Sequence, residues 1–200
     1  MKFEIQHRWS KKVKIVLEGE NRNVAIEQAI KDKKDLRDSD LRGSNLRGSN
    51  LRDSDLSDSD LSGSDLRGSD LRDSDLRDSD LSGSDLSDSD LSDIRNDLWA
   101  VLLFFPNEVL ALREALITGK VEGSTYEGDC ACLVGTIANA RHCNYKLLPQ
   151  LKPDSSRPAE RFFLAIKKGD TPETNQAAKL ALEWIDTWLS QTGLLVAVKP

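Results

Sequence analysis

The sequence predicts a solenoid of short repeats set between a small hairpin-helix segment and a mainly helical C-terminal region. Three observations carry that prediction. Leucine recurs every five residues from Leu36 to Leu91, twelve times without a slip. Before that run, residues 2–6 and 13–18 alternate apolar and polar side chains. After it, residues 97–200 hold most of the aromatic and long aliphatic residues. The expected boundaries are 1–34 for the N-terminal cap, 35–94 for the repeat and 95–200 for the helical domain.

The cap comes first. A period of two over two short segments reads as a β-hairpin with one buried face. Asn21 or Asn23 can then cap a helix to about Lys31, with Val24, Ala25, Ile26 and Ala29 along it. The basic residues Arg8, Lys11, Lys12 and Lys14 read as decoration of the hairpin. The opening MKFEIQHRWSKK has no apolar core and no small-residue cleavage site, so no secretory signal is expected.

The repeat reads DLRDS DLRGS NLRGS NLRDS DLSDS DLSGS DLRGS DLRDS DLRDS DLSGS DLSDS DLSDI. A period of five suits neither an α-helix nor a flat strand. One large apolar residue in five would leave either element without a face to bury. The composition alone resembles that of a disordered linker, but such a linker has no reason to keep phase. The predicted core is Leu36, Leu41, Leu46, Leu51, Leu56, Leu61, Leu66, Leu71, Leu76, Leu81, Leu86 and Leu91. Serine precedes leucine by two positions from Ser39 to Ser89.

The unit S-(D/N)-L-(R/S)-(D/G) resembles the pentapeptide-repeat family, whose consensus is A-(D/N)-L-x-x, and the likeness covers 60 of 200 residues. It implies a right-handed quadrilateral β-helix with four pentapeptides per coil, about three coils in all. The leucine and the small residue two before it would point inward. At about 4.8 Å per coil the column is only about 15 Å long, so both ends need covering. Serine stands where the family has alanine. A buried hydroxyl there needs a carbonyl or a neighbouring serine as partner. The opening order of IQHRWS, hairpin, helix and repeat also resembles certain phage and prophage pentapeptide proteins.

Charge is concentrated in the repeat. It holds 17 Asp and 7 Arg, a net −10 in a chain of net −6, so the remainder carries +4, most of it on the first 34 residues. With four repeats per coil, residues twenty apart share a face. Asp35, Asp55 and Asp75 then form one column, and Asp40, Asp60 and Asp80 another. Carboxylates about 5 Å apart repel by roughly 1 kcal/mol per pair in water. Arg37 and Arg77 on the first face, with Arg52 and Arg72 on the fourth, can relieve part of this. These columns with Arg52 and Arg72 are the candidate interaction surface. The resemblance supplies an alternative, since some family members protect or inhibit DNA gyrase by mimicking the duplex. Here the rod is short, interrupted by arginine and uniformly Leu in its core, without the family's occasional Phe. A calcium β-roll is disfavoured, because its glycine-rich nonapeptide is absent.

In the C-terminal region, Asp97 can cap a helix carrying Leu98, Val101, Leu102 and Phe105, which Pro106 interrupts. A second helix is expected from about Asn107 to Thr118, with Val109, Leu112, Leu116 and Ile117 inside and Gly119 ending it. Residues 129–141 read as a buried helix, and residues 158–167 as a short one. Thr171-Pro172-Glu173-Thr174 reads as an N-cap. The helix after it puts Ala177, Ala181, Trp184, Ile185 and Trp188 on one face. The tail GLLVAVKP reads as a strand.

Cys130, Cys132 and Cys143 are an odd number of cysteines, read as free thiols in a reducing cytoplasm. Cys130 and Cys132 with His142-Cys143 invite a zinc or nucleophile reading. Two cysteines two apart on one helix face different ways, and no third orienting group can be named. There is no P-loop, Rossmann or paired-His metalloprotease pattern. The longest apolar run, residues 98–105, is far short of the roughly 18–20 residues of a membrane span. The reading is a non-enzymatic cytoplasmic interaction protein of a bacterial host, of phage or prophage type. It is expected to bind a protein partner, with no cofactor, no metal, no membrane and no direct nucleic acid. The alternatives are a DNA mimic acting on a topoisomerase and a metal-binding or catalytic C-terminal domain. Capping helices are also natural surfaces for a homodimer.

Overall fold

The computed structural model describes residues 1–148, 150–154 and 156–194. It divides into two compact units, Met1–Asp93 and Ile94–Pro200. The hairpin-helix segment and the repeat fall in the same unit, rather than in two.

In the first unit, β1 (Lys2–Gln6) and β2 (Val13–Glu18) pair antiparallel, with Ile5 opposite Ile15 and Phe3 opposite Leu17. Ile5 and Leu17 carry the buried face. Helix α1 (Arg22–Lys31) is capped by Asn21, whose side chain accepts from the Val24 amide at 3.0 Å. Asn23 is used differently and accepts from the Asn45 amide of the repeat at 3.4 Å. Ala25, Ile26, Ala29 and Ile30 are buried on α1, whereas Val24 is exposed. The hairpin is tied to the repeat by a bridge between His7 and Ser39 and by the Asp40 amide donating to the Gln6 carbonyl at 2.8 Å.

The hairpin is the only sheet of more than single bridges among the described residues. The repeat instead contributes isolated parallel bridges, each joining residues twenty apart, from Asp40 with Asp60 to Asp70 with Asp90. Within Asp60-Leu-Ser-Gly-Ser64, the Leu61 and Gly63 amides donate to the Asp80 and Ser82 carbonyls, and the Asp60 amide donates to Ser39. One circuit of chain therefore holds twenty residues, four pentapeptides. All twelve repeat leucines are buried, the most accessible at 4%. At roughly 2 kcal/mol for each fully buried leucine, these stacked leucines are the first unit's main apolar core.

The pentapeptides from Asp40 to Ser89 all turn their corners the same way. The Ser44 amide donates to the Leu41 carbonyl at 3.1 Å, closing a four-residue turn whose third residue, Gly43, has φ +59°. Every repeat from Asp38 to Asp88 places either glycine or aspartate there, always at positive φ. This is the type II arrangement, which glycine enters freely and Asp tolerates better than most residues. The D/G alternation is thus a backbone requirement.

The second unit is built from α2 (Ser92–Phe104, starting two residues before the unit), α3 (Val109–Ile117), α4 (Leu133–Ala140), a 3-10 turn at Tyr145–Leu147, α5 (Pro158–Phe163) and α6 (Gln176–Thr192). Helix α2 begins five residues before Asp97, so Asp97 does not cap it. Its carboxylate instead accepts from the Ala159 amide at 3.0 Å, in the first turn of α5. The α4 segment is shorter than expected, and Cys130 and Cys132 precede the helix, Cys132 in extended conformation as its N-cap. Helix α5 stops at Phe163 rather than near residue 167. Thr171–Thr174 form a turn of their own, and Asn175 caps α6 by accepting from the Ala178 amide at 3.0 Å. Ala177, Ala181, Ile185 and Trp188 are buried on α6, with Ala178 and Leu189. Trp184 is half-buried and packs on Phe162 at 5.3 Å. Gly193, at φ +75°, ends the helix. Of the tail read as a strand, residues 195–200 lie outside the described residues.

Candidate interaction surface

In the D-L-R repeats the aspartate accepts from the amide two residues on, an Asx turn, and the arginine at that position folds back onto the same carboxylate. In Asp65-Leu-Arg67, Nε of Arg67 reaches Asp65 Oδ1 at 2.8 Å and the backbone amide reaches it at 3.2 Å. The same fork holds Asp35 with Arg37, Asp40 with Arg42, Asp70 with Arg72 and Asp75 with Arg77. In the D-L-S repeats the serine hydroxyl replaces the guanidinium, at 2.6 Å in Asp55 with Ser57 and 2.7 Å in Asp60 with Ser62. Each forked arginine except Arg77 also approaches the aspartate one circuit later: Arg37 to Asp55 at 3.7 Å, Arg42 to Asp60 at 3.6 Å, Arg67 to Asp85 at 3.6 Å and Arg72 to Asp90 at 3.3 Å.

The candidate columns are therefore not bare rows of carboxylate. Asp35 is held by Arg37 and by Lys14 at 3.5 Å; Asp40 is held by Arg42 and by Lys11 at 3.0 Å. Asp80 accepts from Ser82 and lies 3.7 Å from Arg8. Asp40 and Asp75 are buried, and Asp60 and Asp80 half-buried. The arginine forks hold Asp35 and Asp40 well below the ordinary carboxylate range, and push Asp65 and Asp70 down to about 2. Asp58 moves the other way: partial burial, then the fields of Asp78 and Asp38, raise it.

Two arginines escape the fork because asparagine precedes the leucine. The Arg47 and Arg52 amides donate to the side-chain oxygens of Asn45 and Asn50, and the guanidinium groups do not fold back onto them. Arg52 turns to Asp73, one circuit on, at 3.0 Å. Arg47 makes no ion pair among the described residues. Arg52 and Arg72, named together from sequence, thus do different things.

Three of the hairpin's basic residues, Arg8, Lys11 and Lys14, are partners of the repeat rather than decoration. The Arg8 side chain, 10% exposed, donates to the carbonyls of Asp58 at 3.1 Å and Asp78 at 3.0 Å, spanning two circuits. Sequence reasoning missed this role; the signal was a basic cluster ahead of an acidic repeat. Several buried serines are satisfied by leucine carbonyls rather than by one another: Ser59 donates to Leu36 at 2.8 Å and Ser64 to Leu41 at 3.0 Å. Ser44, Ser49 and Ser69 hydroxyls have no partner among the described residues.

In the second unit the three cysteines are free. Cys132 is buried, which pushes its thiol up to about 11 and makes it a poor nucleophile. His142, at φ +54°, and Cys143 line an open, polar concavity with Asp129 and Asn139. No cluster of three His, Cys, Asp or Glu suited to a metal occurs among the described residues. Nor is any described helix long and apolar enough to cross a membrane.

The family model described as pentapeptide repeats matches residues 35–73 and 54–93, in eight copies. No curated protein matches the sequence. The matched stretch is under a third of the chain and coincides with the bridges, forks and left-handed corners described above. Residues 35–93 are thus a segment of pentapeptide repeats.

Proposed function

We propose that this chain is a non-catalytic interaction module that binds a basic protein surface with the C-terminal circuit of its repeat. The observation that carries the reading is the distribution of charge after the forks are counted. Residues 35–54 hold four Asp and four Arg, residues 55–74 six Asp and two Arg, and residues 75–94 seven Asp and one Arg. The acid surplus thus grows along the repeat; Asp85 and Asp90 meet only the arginines of the circuit before, Arg67 at 3.6 Å and Arg72 at 3.3 Å, which fork with their own aspartates. Asp88 is exposed and makes no ion pair among the described residues. Such a field steers a basic partner and fixes its orientation. Pentapeptide repeats are generally interaction modules without catalytic groups, which agrees. In this reading the repeat is a right-handed quadrilateral β-helix of three coils, in a cytoplasmic phage or prophage accessory protein.

Duplex mimicry through the columns of Asp35, Asp55, Asp75 and Asp40, Asp60, Asp80 is less favoured, because arginine and lysine neutralise much of both. The test is capture from bacterial lysate with the native chain and two variants. A triple change of Asp85, Asp88 and Asp90 to Asn should lose the partner, and Asp35, Asp55 and Asp75 to Lys should keep it. The reverse pattern, with competition by duplex DNA, would move the assignment to a DNA mimic.

A further inference from the structure

The first circuit and α1 enclose a groove of about 620 Å³, within the roughly 300–1,000 Å³ of small-molecule sites. Its walls are cationic in a chain of net charge −6. Lys31, Lys33 and Lys34, at the end of α1, line one side, and Arg37 and Arg52 the other. All five are exposed, and the three lysines make no ion pair among the described residues. The wall's acids are already engaged: Asp35 and Asp55 by Arg37, and Asp53 by Arg52 at 3.8 Å. We propose that this groove binds a small anion carrying two or more phosphate groups.

Two features are not explained by the needs of the fold. On this face the later circuits carry Asp70 and Asp90 before leucine, and the first circuit carries Asn50. An aspartate there would fork with Arg52, as Asp70 does with Arg72, and would add a negative charge to the groove wall. Asparagine keeps the Asx-turn bond to the Arg52 amide at 3.1 Å and leaves the charge out. The second feature is Lys33, which occupies φ +52° just after α1, with the Lys33 amide bonded to Ile30 and the Lys34 amide to Ala29. This is the helix-ending position that glycine fills without strain. The helix dipole accounts for lysine near a helix C-terminus. It does not require one in the left-handed residue itself.

Ammonium groups on flexible stems suit phosphate oxygens as point charges. The groove has no aromatic wall; its apolar lining is Ile30 and Leu36, both buried. Recognition therefore falls on the charged groups and not on an attached ring.

Titration calorimetry on the full chain with pyrophosphate, and with inorganic phosphate for comparison, tests this at low and moderate salt. Pyrophosphate should bind one to one, more tightly than phosphate, and weaken as salt rises. Lys33→Gly should lower the affinity about tenfold, with the Tm unchanged or raised. Asn50→Asp should lower it comparably while the circular-dichroism spectrum stays native. Lys12→Gln, on the hairpin loop away from the groove, should change neither. Absence of binding, or equal loss in the Lys12 variant, overturns the proposal. So does a Lys33→Gly protein that gains Tm and keeps its affinity, since that makes the lysines helix-end charges only.

Discussion

The two units bury and pair their polar groups over very different distances along the chain. In the repeat, an aspartate bonds the amide and the side chain two residues on, a corner closes over three residues, and the intercircuit bonds recur at a fixed twenty. In the helical unit, Asp97 reaches Ala159, Tyr126 donates to Glu160 at 3.1 Å, Arg113 pairs with Asp186 at 2.7 Å, and the Trp99 indole donates to the Trp184 carbonyl at 3.0 Å. A local rule repeated twelve times tolerates change at any one surface position. A set of single long-range contacts does not. The repeat should therefore be sensitive in its leucine file and forgiving outside it, and the helical unit sensitive at individual polar residues.

The largest expected effect is in that file. Leu61 lies in the middle circuit with no exposure and with leucines of the adjoining circuits twenty residues away on either side. Leu61→Ala should cost about 2–5 kcal/mol, the range for a buried leucine whose site cannot collapse. Urea unfolding followed by amide signals of residues 36–90 measures it. A loss below about 1 kcal/mol would mean that the backbone ladder, and not the leucine, holds the circuits. That would remove the contrast in its simplest form.

A smaller effect is expected at Asp97, where the helical unit depends on one side chain. Its carboxylate accepts from the Ala159 amide at 3.0 Å and lies 3.5 Å from Arg157. Asp97→Ala removes the acceptor from the first turn of α5, worth about 1–2 kcal/mol by analogy with a lost N-cap. Asp97→Asn should recover most of that, because the amide oxygen still accepts. Hydrogen exchange at residues 158–163 in both variants checks it. Equal protection in the native protein and the alanine variant would show that α5 is held by packing alone.

This contrast in range explains what could be read from sequence. The leucine core follows from a period of five kept over twelve repeats, whereas the inward serine and the twenty-residue stacking are what the resemblance to the pentapeptide-repeat family implies. The Asx turn and the left-handed corner were also legible in principle, since Asp and Gly alternate at one position and no bulky residue enters it. The forks were half legible: arginine relief was expected from face neighbours, but the principal partner is the aspartate two residues back. Nothing local announces that Asp97 caps α5 rather than α2, or that Asn175 and not Thr171 caps α6. Those choices are made by residues that only the fold brings near. Arg8 belongs to the same class, because its acceptors lie fifty and seventy residues away.

Acid acts with opposite sign on the forked aspartates of the repeat and on Glu160 of the helical unit, and this is the gentlest way to test the comparison. In the repeat, Asp65 and Asp70 are pushed down to about 2 by the side-chain bonds of Arg67 and Arg72. Asp35, Asp40, Asp85 and Asp90 are lowered as well, and Asp58 is raised. A carboxylate lowered in the fold contributes stability that is complete above its unfolded pKa, near 3.9. That stability is lost as pH falls through the folded value. The repeat should therefore weaken between about pH 4 and pH 2. Glu160 in the helical unit is 5% exposed, and burial raises it, against the bonds from the Asp154 amide and Tyr126. A raised carboxylate favours the fold when protonated, so its contribution is fully present below the unfolded pKa and is lost as pH rises through the folded one. Glu160→Gln should accordingly make the helical unit's stability flatter between neutral pH and pH 4, leaving the acid loss of the repeat unchanged. Denaturation followed by NMR, reading repeat leucines and the Trp184 and Trp188 indoles in one sample, distinguishes the two slopes. An unchanged slope of the helical unit in Glu160→Gln would mean that Glu160 does not set its response to acid.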